Sequence, residues 1–458
     1  MSDLFTSLAS AARSLDAQRF GMDVTGQNIA NVNTPGWNRR TIDIVEVAPP
    51  DQWSSGGGAE VQDVRALRDR LLDRRLEQEL PSQTREGAKA EALSVIEASI
   101  GLPGQSLDVN LRSFFDAYSK LADNPTSAVA RQEVLQQGSS LATAFNDMSS
   151  RLVDAQKDAD QQVRSTVQQM NDLTTQIAAL NHTIGASGSE GSLAQIQDKQ
   201  MLLVRQLSEL ANVQVLENEN GTVDVSLAGR ELVVADNSYQ IGLTSQPPNG
   251  YADVTAAGTS MTSQITGGKL AGYLQVRDVN AKNYIDQLDT LAYNVAQQVN
   301  LVHSSGYDQT GVQAGNFFAP LATSAGAAAA LAVDPAIVAD VRKIAAAGIA
   351  DAGDNQVARR LAALGNTPVL NSGTATFTDA WGNLIYTVGR DSQTASNEST
   401  TRQGVVAQID TLRDQTSGVS LDEEAANLLK FQRAYEANAK FFKACDDAIA
   451  TLMDNLSS

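Results

Sequence analysis

Apolar residues recur at alternating spacings of four and three at both ends of the chain. Leu4, Leu8, Ala11, Leu15, Met22 and Ile29 climb one ladder, with Gln18 and Thr25 on its polar rungs. This period predicts an amphipathic helix with a coiled-coil seam. The ladder stops at Asn31-Val32-Asn33-Thr34-Pro35-Gly36, where Pro followed by Gly suits the centre of a type II turn. At the other end, Leu421, Leu428, Tyr435, Phe442, Ile449 and Leu456 are seven apart, and Glu424, Phe431, Asn438, Cys445 and Leu452 fall between them. Nine of these eleven are apolar, so a second seam is expected, with Ser420 and Glu423 as a capping box at its start. Left alone, such stripes would face water. Each therefore predicts a partner, and each has the period of the other. Pairing within one chain and pairing between copies satisfy that demand equally.

Between the ends the pattern changes several times. Thr41 to Val47 alternates as a strand, and Pro49-Pro50 with Ser54 to Gly58 marks a boundary. Helical periodicity runs from Val64 to about Ala98 and from Leu107 to Ala122, where Asn124 is placed to cap a new helix with Pro125 at its first position. Val163, Val167, Met170, Ile177 and Ile184 continue a stripe, and the Gly/Ser-rich stretch 185–192 splits it into an antiparallel helical hairpin. From Val213 to about Ile265 short strands are expected, beginning with a hairpin around Asn220-Gly221. Helix returns at Leu270, with Ile285, Leu288, Ala292, Val295, Val299 and Val302 on one face. An Ala-rich part from Ala322 to Ala352, a strand from Thr374 to Val388 turning at Trp381-Gly382-Asn383, and a helix from Ser392 to about Asp414 follow.

The fold class is thus mainly α with a β-rich part (α+β), its terminal helices paired as a coiled coil. The divisions are an axial helix and turn at 1–47, a helical middle at 48–212, a β-rich outer part at 213–268, and a second helical part at 269–414. A variable segment lies within that last part at about 321–400, and a C-terminal axial helix occupies 415–458.

Composition removes whole classes of function. The formal charge of −19 disfavours nucleic acid and anionic membranes. One cysteine, Cys445, and two histidines, His182 and His303, cannot furnish a Cys/His zinc site. No run approaches the length of a membrane span, and the N-terminus lacks the basic region and unbroken apolar core of a cleavable signal peptide. Asp422-Glu423-Glu424 is best explained by helix capping and the positive end of the helix dipole, and His303 by a favourable charge at a helix C-terminus. Gly267-Gly268 lacks the Lys-Ser/Thr of a phosphate loop. No nucleophile, base or metal set clusters, so no catalytic, metal or cofactor residues are expected, and the chain is read as a non-enzyme.

Gln27-Asn28-Ile29-Ala30-Asn31-Val32-Asn33-Thr34-Pro35-Gly36-Trp37 resembles the N-terminal signature of the bacterial flagellar axial family of rod, hook and hook-associated proteins. Trp37 stands where members usually have Tyr or Phe. Leu421-Asp422-Glu423-Glu424, Asn427-Leu428, Gln432, Ala434-Tyr435 and Ala437-Asn438-Ala439 look like the matching C-terminal signature. The interior, with Phe114 to Thr126, Arg131-Gln132, Ile265 to Leu270, Arg277-Asp278, Leu288-Asp289, Asn300, His303 and Gly306-Tyr307-Asp308, is similar to the hook-associated members at the hook–filament junction.

The resemblance implies a structural subunit exported unfolded without a cleaved signal, its C-terminal helix held by an export chaperone. It implies a ring of copies between the hook protein and a second junction protein on the filament side, with ends that fold on assembly. It places the assembly interface on Leu4, Leu8, Ala11, Leu15, Met22, Asn28, Ile29, Asn31, Asn33, Pro35 and Gly36, and on Leu421, Leu428, Phe431, Tyr435, Asn438, Phe442, Cys445, Ile449, Leu452 and Leu456. A hook or rod member of the same family and an unrelated cytoplasmic helical scaffold are the competing readings.

Overall fold

The computed structural model describes residues 2–34, 36–48, 57–100, 107–186 and 190–457. Two compact units share the chain, one of Met1–Ser82, Gln168–Gly242 and Arg402–Ser458, the other of Gln83–Val167 and Leu243–Thr401. The first elements are α1 (Ser2–Ala30), β1 (Arg40–Glu46), β2 (Ala59–Ala66), α2 (Arg70–Ile100), α3 (Leu107–Asp123), α4 (Ala128–Ala186) and α5 (Glu190–Leu210). Seven short strands follow: β3 (Gln214–Glu217), β4 (Val223–Leu227), β5 (Arg230–Val234), β6 (Asn237–Ser238), β7 (Ile241–Gln246), β8 (Tyr251–Ala256) and β9 (Thr259–Ser260). The chain then forms α6 (Gly268–Gln275), a π-helical stretch (Val276–Ala281), α7 (Lys282–His303), α8 (Ala327–Ala330), α9 (Pro335–Ala339), α10 (Gln356–Leu364), α11 (Phe377–Ser417) and α12 (Leu421–Ser457). Helix dominates and the sheets are small, in agreement with the mainly α expectation. Pro35, Pro49-Pro50 and Ser54 fall outside the described residues.

In the first unit α1 lies alongside α12, and the β1–β2 hairpin packs beside α1. The hairpin is antiparallel, with Arg40 opposite Ala66, Glu46 opposite Ala59 and a bulge after Asp43. Strand β2 occupies residues whose charged pattern predicts helix from Val64. The helix starts only at Arg70, because the Asp69 carboxylate accepts hydrogen bonds from the Leu71 and Leu72 amides and so sets its first turn. Strands β3 to β6 form one meander, and Gly221 supplies the positive φ, 81°, that its first turn requires. Buried Asn181 ties this sheet to the α4–α5 hairpin. Its Oδ1 accepts from the Val223 amide at 3.0 Å and from Gln200 Nε2 at 2.6 Å, and its Nδ2 donates to the Val223 carbonyl at 2.7 Å.

The second unit is built around one continuous apolar core. Phe114 sits at its centre, fully buried, with the rings of Phe115, Tyr118, Phe317 and Phe318 between 5.2 and 5.5 Å away. Gly138 passes so close that a Cβ there would lie 2.7 Å from the Phe317 ring. The Ala-rich stretch has little regular structure and is pinned by polar side chains of α7. The Asp289 carboxylate accepts from the amides of Gly326 and Ala328 at 2.7 and 2.9 Å, and Asn300 Oδ1 accepts from those of Phe317 and Phe318 at 2.9 Å. Buried Arg277, in the π-helical stretch, joins the Asp160 carboxylate and the Ala252 carbonyl at 2.7 Å each, fixing β8 to α4.

Two further local expectations are overturned in this region. Asn124 and Pro125 lie in a turn, and the helix begins at Ala128 with Ser127 Oγ accepting from the Ala130 amide at 3.2 Å. Thr374 to Val388 is not a strand, because α11 starts at Phe377 under a reciprocal cap between Thr376 and Asp379. Phe377, Trp381, Leu384 and Val388 are buried at helical spacing.

His303 is not a surface charge. It is fully buried, with Nδ1 2.8 Å from the Gly315 carbonyl and Nε2 accepting from the Ala345 amide at 2.9 Å. Only the neutral ring protonated at Nδ1 satisfies both bonds. Burial lowers its pKa from 6.5 to about 4. The folded state therefore resists the proton that the unfolded chain accepts below pH 6.5. Stability is full above that value and is lost as pH falls towards 4, by about 3 kcal/mol in total. Urea midpoints measured from pH 7 to 4.5 should show this loss in the wild type and not in His303→Gln.

Candidate functional site

The two end signatures meet in the first unit. Asn28, fully buried near the end of α1, donates through Nδ2 to the Arg40 carbonyl at 2.8 Å and to Glu424 Oε2 at 3.0 Å, 396 residues away, and its Oδ1 accepts from the Arg40 amide at 3.0 Å. One side chain thus holds the return of the chain into β1 and the first turn of α12. The other Glu424 oxygen accepts from Arg39 Nε at 2.7 Å, and Arg39 also pairs with Glu423 at 2.7 Å. The side chain of Glu424 is 3% exposed and that of Glu423 is 61% exposed. The buried pair carries the weight, since an exposed one contributes little. The capping box is only half made: the Glu423 amide is 3.5 Å from Ser420 Oγ, while its carboxylate turns to Arg39.

A second buried ionic centre adjoins in sequence. Asp198, on α5, accepts from Asn38 Nδ2 at 2.9 Å, Arg40 at 3.0 Å and Arg68 at 3.1 Å. The Arg40 guanidinium also stacks 4.0 Å from the Trp37 ring centre. Residues 38 to 40 therefore connect α1, α5 and α12 through charged side chains that are largely buried and ion-paired.

The seams follow their expected faces with a shift. On α1, Ala11 and Asn28 are buried, whereas Leu4, Leu8, Leu15, Met22 and Ile29 are half-buried. The deepest contacts belong to Ala17, Gly21, Val24 and Thr25. Small residues let the helices approach: a Cβ on Gly21 would come within 2.8 Å of the Phe431 ring. On α12, Cys445 is buried, and Leu428, Phe431, Asn438, Phe442 and Ile449 are half-buried. Leu421, Tyr435 and Leu452 are 52, 36 and 45% exposed, so they leave the seam. An α-helix of 3.6 residues per turn drifts about 20° per heptad, so no strict seven-residue row stays on one face of a straight helix. The Leu456 side chain lies outside the described residues, as does Pro35. Asn31 Nδ2 donates to the Gln27 carbonyl at 2.9 Å and Asn33 is exposed. Gly36 takes the positive φ of 81° expected for the turn.

Beside this junction opens a cleft of about 750 Å³ lined by Trp37, Asp73, Glu77, Met201, Glu209 and Asp414 among others. Burial pushes the Asp73 and Glu77 carboxyls above their ordinary values, against the nearby Arg413 at Asp73 and reinforced by Asp73 at Glu77. Arg39, Arg40, Asp198 and Gly21 have no signature that sequence reasoning would single out. Gly21 alone leaves a trace, as a glycine inside a helical run, where it is unfavourable unless close packing needs it.

Residues 93–318 match the profile of the flagellar hook-associated protein FlgK helical domain, and residues 413–455 match that of the flagellar basal body rod FlgEFG protein C-terminal region. These matches place the chain among the structural proteins of the flagellar axis. It is 26% identical to flagellar hook-associated protein 1 of Bacillus subtilis over 502 aligned positions, covering 100% of this chain and 99% of the relative. With the protein of the same name from Escherichia coli it is 24% identical, covering 97% and 98%. The solved flagellar hook junction protein FlgK of Burkholderia pseudomallei superposes with a TM-score of 0.68 at 17% identity, over 75% of this chain and 100% of that one. The chain belongs to the flagellar hook-associated protein 1 family.

Proposed function

We propose that this chain is a structural element of the bacterial flagellum at the junction of hook and filament, where copies assemble into a ring through their joined ends. The observation that supports this reading is the Asn28–Glu424–Arg39 cluster, which makes the two ends of the chain one packed element. In this proposal α1 and α12 form the inner wall. The neighbours are the hook protein below and a second junction protein above. Export precedes folding of the ends, without a cleaved signal, and a chaperone covers α12 until then; the paired helices are the assembled state. Coupling their folding to docking keeps the apolar stripes out of water until a partner is present. No catalytic step enters the proposal.

Leu428→Asp or Phe442→Asp places a charge against α1 and should abolish incorporation while leaving the second unit folded. Electron microscopy of labelled cells provides the check: wild-type label should lie between hook and filament. Normal junctions with attached filaments in either variant would remove the paired-helix account.

A further inference from the structure

The chain has two Asn-Gly steps, Asn220-Gly221 and Asn249-Gly250, each in a turn between strands, β3 to β4 and β7 to β8. Such a step is chemically labile. With no side chain on the following residue, its backbone nitrogen can approach the asparagine Cγ closely. The two turns treat that approach differently.

At Asn220 the side chain is tied down. Its Oδ1 accepts from the Thr222 amide at 3.1 Å and from the Thr222 hydroxyl at 2.8 Å. The space around Gly221 is filled, since a Cβ there would run into Gln197 Nε2 and lie 3.7 Å from Ile184. At Asn249 neither restraint exists. Residues 244–250 are exposed, and the Asn249 side chain has no hydrogen-bond partner among the described residues. Nothing lies within 4 Å of where a Gly250 Cβ would stand. The two glycine amides themselves are alike: Gly221 donates to the Asn218 carbonyl at 3.0 Å and Gly250 to that of Gln246 at 2.8 Å. The difference therefore lies in the asparagine side chain and in the room around it.

We propose that Asn249 is a site of spontaneous modification, at which the side-chain amide is lost as ammonia. The Gly250 nitrogen bonds to Asn249 Cγ, the Cγ–Nδ2 bond breaks, and the proton of the Gly250 amide ends on the departing ammonia. Water then opens the cyclic imide, its hydroxyl going to a carbonyl carbon and its proton to the nitrogen, which leaves aspartate or β-linked isoaspartate. Either product carries a carboxylate where a neutral amide stood. Isoaspartate also adds one carbon to the main chain ahead of Gly250, whose carbonyl accepts from Arg164 Nη2 at 3.1 Å. Arg164 pairs in turn with Asp160, which accepts from the Ala252 amide at 2.7 Å. The modification thus puts charge and slack into the turn beside the contacts that fasten β8 to α4. No enzyme takes part, so the modified fraction grows with the age of the chain.

The test is peptide mass spectrometry of the full chain kept folded in warm, mildly alkaline buffer, following the amide-to-acid mass gain at each asparagine. Asn249 should convert about 30-fold faster than Asn220 or more, because Asn220 must first release two hydrogen bonds. In guanidinium, where both turns are lost, the two rates should agree within about three-fold. Thr222→Val removes one of the two bonds and should speed Asn220 about five-fold in the folded chain, leaving Asn249 as it was. Equal rates at the two sites in the folded chain, or an unmodified Asn249, overturn the proposal. A difference that persists in guanidinium also overturns it, since its origin would then be the flanking sequence and not the fold.

Discussion

Phe114→Ala is expected to lower the stability of the second unit by about 4 kcal/mol. Its ring is fully buried and is surrounded by four others from α3 and the Phe317-Phe318 segment. Removing it forfeits the transfer free energy of the ring and leaves a cavity that these neighbours, each already packed against another, fill poorly. Differential scanning calorimetry of the full chain should show the transition of that unit displaced downward. Val129→Ala, at a residue 79% exposed, is the control and should move it little. A displacement as small as the control's would mean that the aromatic cluster is not the centre of the core.

The second large effect belongs to Glu424. Glu424→Ala leaves Arg39 with only the exposed Glu423 and leaves one Asn28 Nδ2 hydrogen without its acceptor. Breaking a buried pair from one side costs about 3–5 kcal/mol, because the remaining charge stays desolvated. That cost falls on the docking of α1 against α12, so in the assembled state amide protection in residues 20–30 should drop by about 100-fold or more. Glu423→Ala, at a solvent-exposed partner, should cost no more than about 1 kcal/mol. Equal protection in wild type and Glu424→Ala would show that apolar packing alone joins the ends.

Much of the fold is legible in the sequence where one periodicity runs long. The stripes of α1 and α12, the α4–α5 hairpin and the turn to strand at Val213 all announce themselves through local spacing. The stretch from Thr374 to Val388 shows how short patterns mislead. Its β-branched and aromatic residues suggest a strand, yet Thr376 and Asp379 spell a reciprocal cap, and Phe377, Trp381, Leu384 and Val388 already stand at helical intervals. Strand β2 was hidden for the opposite reason. Ala59 to Ala66 is too charged to alternate, and pairing with β1 holds it extended.

The cleft is not legible locally: nothing in the sequence joins Glu77 to Glu209 and Asp414. His303 makes the same point in the second unit. Helix position suggested a cation, and only the amide of Ala345 and the carbonyl of Gly315, brought in from elsewhere, make it a neutral buried ring.

The sequence by itself determined that the two ends are amphipathic helices of one period, because hydrophobic spacing is a property of neighbours along the chain. It also contained the signatures whose residues fill the junction. Only the tertiary structure decided which atoms join them. Glu424 reads as a polar lapse in an apolar seam, and Arg39 as an unremarkable charge after a turn. Each acquires its role from a partner hundreds of residues away, and a buried charge is stable only when such a partner meets it.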